Sequence, residues 1–337
     1  MDITVGIIGA GSFGMTMARL AAANTDVVVY SRNHDKVNSI NNSHQLGGID
    51  LPHNVKATSD LTAMAKNCKL IMPVIPAASM RVLFEQVGQF LNPSHFVIHA
   101  TKGLDYDPDR KISKDNVFTM SQVIDQCSSV VRIGCVSGPN LAKEILEEQP
   151  TATVVASEYD EVIDIGRKVL GSSKFFVFGS HSIYGIELAG ALKNVFAIGS
   201  GLLAGIGLGK NIQSLMLTRG LQEMIKLGEA LGASKEPFLG SAGIGDLIAT
   251  ATSTNSRNYR FGVLIAQGKT IEEAKVVVEE VAEGVHTLKV VRALAKEMKM
   301  SLPICEFIYQ IVYNNYPMSK ALDKLMFYPS TTDVEFL

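Results

Sequence analysis

A glycine-spaced turn near the start of the chain constrains what the rest can become. Gly9, Gly11 and Gly14 stand in Gly9-Ala10-Gly11-Ser12-Phe13-Gly14, after an apolar run at 3–8 and before a helical apolar pattern at 15–23. Glycine at these places lets the backbone turn tightly, approach a pyrophosphate and pack the helix on its strand. The helix N-terminus then offers free N–H donors and the positive end of its dipole to phosphate. With a second strand at 27–30, the pattern predicts a dinucleotide-binding strand–helix–strand unit. The plain alternative is a glycine-rich turn with no ligand.

Composition excludes several classes. The 337 residues allow one or two domains, and 47% apolar content supplies a large core. Lys plus Arg (31) nearly balances Asp plus Glu (33), and no basic stripe suggests nucleic acid. Cys68, Cys127, Cys135 and Cys305 are scattered without a C-x-x-C pair, so reduced thiols in the cytoplasm are expected. The seven histidines lack metal-ligand spacing, and no metal is expected. No basic leader precedes the first strand. The stretch 195–208 is uncharged but short for a bilayer, and Gly199, Ser200, Gly201 and Gly205 interrupt it. It reads as a core helix ending in a glycine-rich turn, with no integral membrane segment. The repeat Gly201, Gly205, Gly209 reads as close helix packing or a turn.

Strands are predicted at 3–8, 27–30, 55–58, 70–75, 96–100, 132–136, 151–156 and 175–178. Helical patterns lie between most of them, including 79–90 and 141–147. Such alternation predicts an α/β fold, a mainly parallel Rossmann-type sheet covered on both faces. Beyond residue 183 helices take over, at 186–204, 212–231, 257–267, 270–277, 284–299 and 301–313, with a last one near 319–326. A dinucleotide-binding domain at 1–183 and an all-α substrate domain at 184–337 are therefore expected, with 328–337 a poorly ordered or partner-dependent tail. An apolar helical domain permits a homodimer without requiring one.

Several polar residues sit where chemistry could use them. An NAD-preferring unit carries an acid at the end of its second strand. Here the strand ends in Val29-Tyr30-Ser31-Arg32-Asn33, with no acid before Asp35. Arg32 suits a 2′-phosphate and favours NADP(H), with NAD(H) still admissible; as a solvated loop arginine it would discriminate little. Lys193 lies among apolar and small neighbours. It is either a desolvated proton carrier or a lysine whose stem covers apolar surface. Asp246, in Gly243-Ile244-Gly245-Asp246, is either a helix N-cap or a partner for a lysine or substrate hydroxyl. Ser256-Arg257-Asn258 groups a cation with neutral hydrogen-bonders, suited to phosphate or simply to a helix start. Thr101-Lys102-Gly103 and Ser137-Gly138-Pro139-Asn140 follow strand ends that face a ligand crevice, and both also suit plain turns.

Together these segments resemble the bacterial-type NAD(P)-dependent glycerol-3-phosphate dehydrogenases. The resemblance runs from 3 to about 313. It rests on the glycine turn, on 100–104 and 137–140, on Glu187-Leu188-Ala189-Gly190-Ala191-Leu192-Lys193-Asn194, and on 217–220, 243–246, 256–258 and 281–284. It implies a Rossmann domain joined to a helical one, with the active site between them. It also implies reversible reduction of dihydroxyacetone phosphate to sn-glycerol 3-phosphate for glycerophospholipid synthesis. By the resemblance Lys193 is the catalytic acid/base, and Lys102, Gly138, Asn140, Asn194, Asp246, Ser256, Arg257 and Asn258 surround the substrate. Gly9, Gly11, Ser12, Phe13, Gly14, Arg32, Ala142, Val281 and Glu283 fall on cofactor positions, with Lys102 and Arg257 touching both ligands. Asn140 departs from the family's usual Ser or Thr. The competing readings are a dehydrogenase for a β-hydroxy or keto acid, and a non-enzymatic dinucleotide sensor.

Overall fold

The computed structural model describes residues 3–278, 282–318 and 320. The expected helix at 319–326 and the tail at 328–337 lie almost wholly outside the described residues, as does Val281. The chain forms two compact units. The first comprises the chain up to Asp105 and Phe118–Glu187; the second comprises Tyr106–Val117 and the chain from Leu188 on.

The first unit is built on an eight-stranded sheet: β1 (Val5–Ile8), β2 (Val27–Tyr30), β5 (Val55–Thr58), β6 (Leu70–Pro73), β7 (Phe96–His99), β8 (Arg132–Ser137), β9 (Thr151–Ser157) and β10 (Phe175–Ser180). A small antiparallel hairpin, β3 (Gln45–Leu46) and β4 (Ile49–Asp50), stands apart. The sheet order is β10-β9-β8-β7-β6-β1-β2-β5, and only β8 and β9 pair antiparallel. The central strands are continuous apolar runs because both faces are covered. Along β1, Val5 and Ile7 join one buried cluster with Met15 and Val29, while Ile8 joins another with Ile71 and Phe84. β10 differs: it is an edge strand, and its Phe176 and Phe178 are exposed. The strand order reverses at β1, with β2 on one side and β6 on the other, which makes a ligand crevice at their carboxyl ends.

The second unit is helical. Its main helices are Lys210–Ala230, Arg257–Ala266, Glu283–Glu297 and Pro303–Asn314, each within a few residues of expectation. The stretch 195–208 proves to belong largely to a longer helix, Ile183–Gly205, whose 23 residues are enough to cross a bilayer by length and apolarity. That helix is a core element: 89% of its apolar window is buried in the fold. A Cβ at Gly201 would lie 2.0 Å from the Tyr259 carbonyl oxygen, so this glycine admits the crossing of helix Arg257–Ala266. Gly209, in contrast, begins the next helix and faces open space.

The units divide differently from the expected 183/184 break. Helix Ile183–Gly205 runs through that point, and the division falls after Glu187. The segment Tyr106–Val117 also leaves the first unit. Backbone bonds between Asp105 and Phe118 close its base, the buried Asn116 amide ties it to Asp107 and Lys111, and Tyr106 stacks on His286. Its partners lie on later helices, which local sequence does not reveal.

Within the second unit, Glu223 accepts the N–H groups of Ile304 and Cys305 at the start of helix Pro303–Asn314. Burial nevertheless pushes its carboxyl up to about 7, because desolvation outweighs the two hydrogen bonds. An acid whose folded pKa is raised holds its proton longer when folded. Its contribution to stability therefore falls as pH rises from about 4.5 to about 7. Thermal melting of Glu223→Gln should gain on the parent across that interval, by up to roughly 3 kcal/mol. A difference that stays constant with pH would refute the raised carboxyl.

Candidate active site

In the first unit, the end of β1 turns through Gly9, whose φ of 124° favours glycine. A Cβ there would lie 2.3 Å from the Val74 carbonyl oxygen, and one at Gly14 would lie 1.9 Å from that of Gly9. Loop and helix are thus in backbone contact. Gly11 sits at the N-cap of helix Ser12–Ala22, where no side chain caps the helix and an added Cβ would meet nothing within 4 Å. The first-turn N–H groups, including those of Ser12 and Phe13, remain available to an anion. Beside this loop is a cavity of about 660 Å³, lined among others by Gly9, Ala10, Tyr30, Arg32, Ile75 and Pro76. It lies where the strand order reverses. Arg32 is exposed on its wall.

Along the same sheet, Lys102 follows β7 and its ammonium donates to the Gly138 carbonyl at 2.9 Å. Gly138, with φ 148°, turns the chain after β8. Asn140 donates from Nδ2 to Thr153 Oγ1 at 2.8 Å, while its buried Oδ1 has no partner. The larger amide in place of Ser or Thr is thus anchored on β9. Lys102, Gly138 and Asn140 are brought together, and Ala142 opens the short helix Ala142–Leu146 beside them.

In the second unit, Lys193 is 5% exposed and Asp246 2%, with Nζ 2.8 Å from Oδ1. Lys193 also donates to the Thr250 hydroxyl, which in turn donates to Asp246 Oδ1 at 3.0 Å. The burial and pairing rule out the plain alternative for each residue. Lys193 does not reach solvent along an apolar surface. Asp246 is not an N-cap: Gly245 holds that position, and the carboxylate is turned to Lys193 from the first residue of helix Asp246–Thr252. A buried ammonium needs such a partner, because either charge alone would carry the full cost of desolvation.

The neighbouring residues form a second pair. Asn258 Nδ2 donates to Asn194 Oδ1 at 2.9 Å, and Asn258 Oδ1 accepts the Gly284 N–H at 3.0 Å. Ser256 caps helix Arg257–Ala266 by accepting the Tyr259 N–H, so its oxygen is engaged in the helix start. Arg257, the first helical residue, is exposed. Glu283 begins helix Glu283–Glu297 next to Gly284.

Two features escaped sequence reasoning. Thr250 lies one helical turn after Asp246, a spacing that could have flagged it. Glu187 is buried and accepts from Ser121 N at 2.8 Å and lies 2.9 Å from His99 Nε2. It anchors the beginning of the helix that carries Lys193 and Asn194. No sequence signal links it to His99, because strand β7 is distant along the chain.

Known proteins are similar to this chain along nearly its whole length. The family model described as NAD-dependent glycerol-3-phosphate dehydrogenase N-terminus matches residues 4–163, and its C-terminus counterpart matches 182–323. A glycerol-3-phosphate dehydrogenase [NAD(P)+] of Alcanivorax borkumensis is 38% identical over 98% of this chain and 95% of its own. The crystal structure of a glycerol-3-phosphate dehydrogenase from Coxiella burnetii superposes with TM-score 0.88 at 28% identity, covering 96% of this chain and 99% of that one. That of the Saccharomyces cerevisiae enzyme gives 0.82 at 28% identity with the same coverage.

The buried pair makes a stability prediction independent of any reaction. Lys193→Met leaves the Asp246 carboxylate uncompensated and should cost about 3–5 kcal/mol. Adding Asp246→Asn should restore part of the loss in thermal melting. Strictly additive losses would mean that the two charges are not coupled.

Proposed function

Because the chain belongs to the NAD-dependent glycerol-3-phosphate dehydrogenase family, we propose that it reduces dihydroxyacetone phosphate reversibly to sn-glycerol 3-phosphate. The product feeds glycerophospholipid synthesis. The observation that carries this reading is the buried Lys193 ammonium held by Asp246 and Thr250, beside the Asn194–Asn258 pair.

Lys193 gives a proton to the carbonyl oxygen as it becomes a hydroxyl, and takes it back in the reverse direction. The neutral amine left behind is reprotonated from water. Asp246 and Thr250 hold the ammonium in one orientation. Asn194 and Asn258 position the substrate oxygens. Arg257 and Asn258 grip the phosphate, with Ser256 setting the helix start from which they project. Lys102, Gly138 and Asn140 complete the substrate contacts. Remote phosphate binding of this kind orients the carbonyl for reaction.

The first unit binds the dinucleotide and the second carries the acid/base. The glycine loop fits a pyrophosphate: close contacts at Gly9 and Gly14 hold its shape, while Gly11 faces open space. Gly9, Gly11, Ser12, Phe13 and Gly14 would hold the cofactor, joined by Arg32, Ala142, Val281 and Glu283, and Lys102 and Arg257 would reach both ligands. When bound, the nicotinamide supplies or accepts the hydride. NADP(H) is the preferred form, since Arg32 lines the cavity where an NAD-preferring protein would place an acid. The four free cysteines suit the reducing cytoplasm.

The test follows nicotinamide absorbance with dihydroxyacetone phosphate and NADPH or NADH. Oxidation of the cofactor is expected, faster with NADPH. Lys193→Ala should lower turnover by about 10²–10⁴-fold with cofactor affinity retained. Near-parental turnover in that variant would remove Lys193 from the mechanism. Arg257→Ala should raise KM for the phosphate substrate more than it alters cofactor affinity.

A further inference from the structure

The helix that follows β2, His34–Ser43, brings a second cation to the glycine loop that borders the cavity. Asn33 caps it, accepting the Lys36 N–H on Oδ1 at 3.1 Å, which sets Lys36 in the first turn. The Asn33 N–H in turn donates to Ser31 Oγ, pinning the turn that carries Arg32. From there the Lys36 ammonium reaches back to the glycine loop and donates to the Ala10 carbonyl at 3.0 Å. Ala10, Ser31, Arg32 and Asn33 all line the cavity. Lys36 is half-buried, and among the described residues it has no carboxylate partner. An ammonium has three donors. One is taken by a neutral carbonyl, which leaves two donors and a full charge beside the end of β2, where the adenosine ribose of a Rossmann ligand lies.

We propose that Lys36 reads the adenosine 2′-phosphate together with Arg32, so that two cations set the preference for NADP(H). The assignment rests on the NADP(H) reading above. Arg32 supplies the planar, exposed contact, and Lys36 supplies a point charge braced against the loop. If Lys36 were only a brace for Ala10, losing it would weaken every ligand of the glycine loop alike. A 2′-phosphate reader instead affects only ligands that carry that group.

The test is calorimetric titration of the full chain with adenosine 2′,5′-bisphosphate and with AMP, for the parent, Lys36→Met and Lys36→Arg. The parent should prefer the bisphosphate. Lys36→Met should weaken bisphosphate binding by about 10- to 100-fold. AMP affinity should change less than about twofold, which also verifies that the variant folds; Lys36→Arg should recover most of the loss. Equal weakening of both ligands, or of neither, overturns the assignment while leaving the NADP(H) preference standing. A parent that binds the two ligands equally overturns the NADP(H) reading and the Lys36 assignment with it.

Discussion

A full charge placed where water does not reach governs the second unit. Helix Ile183–Gly205 is apolar almost throughout, and in such a helix a lysine is tolerated only if its ammonium is met on arrival. Asp246 and Thr250 meet it from one turn of another helix. That turn must itself be held, and the wide π-type turn at Ser241–Gly245 delivers Asp246 to the first helical position. The requirement then spreads outward. Tight crossings at Gly201 and Gly205 bring helix Arg257–Ala266 against the lysine helix, and so bring Asn258 to Asn194. The packing and the chemistry are one constraint.

The first unit solves a different problem with backbone rather than charge. Its loop must stay open to an anion and yet keep its shape. Contact of Gly9 with Val74 and of Gly14 with Gly9 holds the shape without side chains, which leaves the N–H groups of the helix start for the ligand. Side-chain cations, Arg32 and Lys36, stand at the loop's periphery. Lys102, whose ammonium donates to the Gly138 carbonyl, is, like Lys36 on Ala10, a cation held by a neutral oxygen.

Much of this was legible in the sequence, and the reasons differ by element. All eight sheet strands announced themselves, the central ones as unbroken apolar runs buried on both faces and the edge ones, β5 and β10, by their place between helical patterns and turns. Their pairing sense did not: β9 reads like its neighbours yet runs antiparallel to β8. The apolar Phe176 and Phe178 gave no hint that β10 is an edge. Among the site residues, the glycines, Lys102, Lys193 and Asp246 could be picked from local pattern. What Asp246 does could not, because a cap and an ion-pair partner have the same local sequence. Thr250, His99 and Glu187 act through tertiary contacts alone, and the detour at Tyr106–Val117 depends on helices made much later in the chain.

That detour has a consequence for how the chain matures. Its neck is closed by the Asp105–Phe118 bridge, but Lys114 donates its N–H to Glu297, 183 residues downstream. At about 5–20 residues per second, a ribosome takes roughly 10–40 s to cover that distance. The sheet unit is complete in sequence once Glu187 is made, so for the last roughly 5–20 s of that interval twelve residues inserted in its sequence await a docking surface not yet translated. The nascent protein therefore carries an unfinished loop well into synthesis.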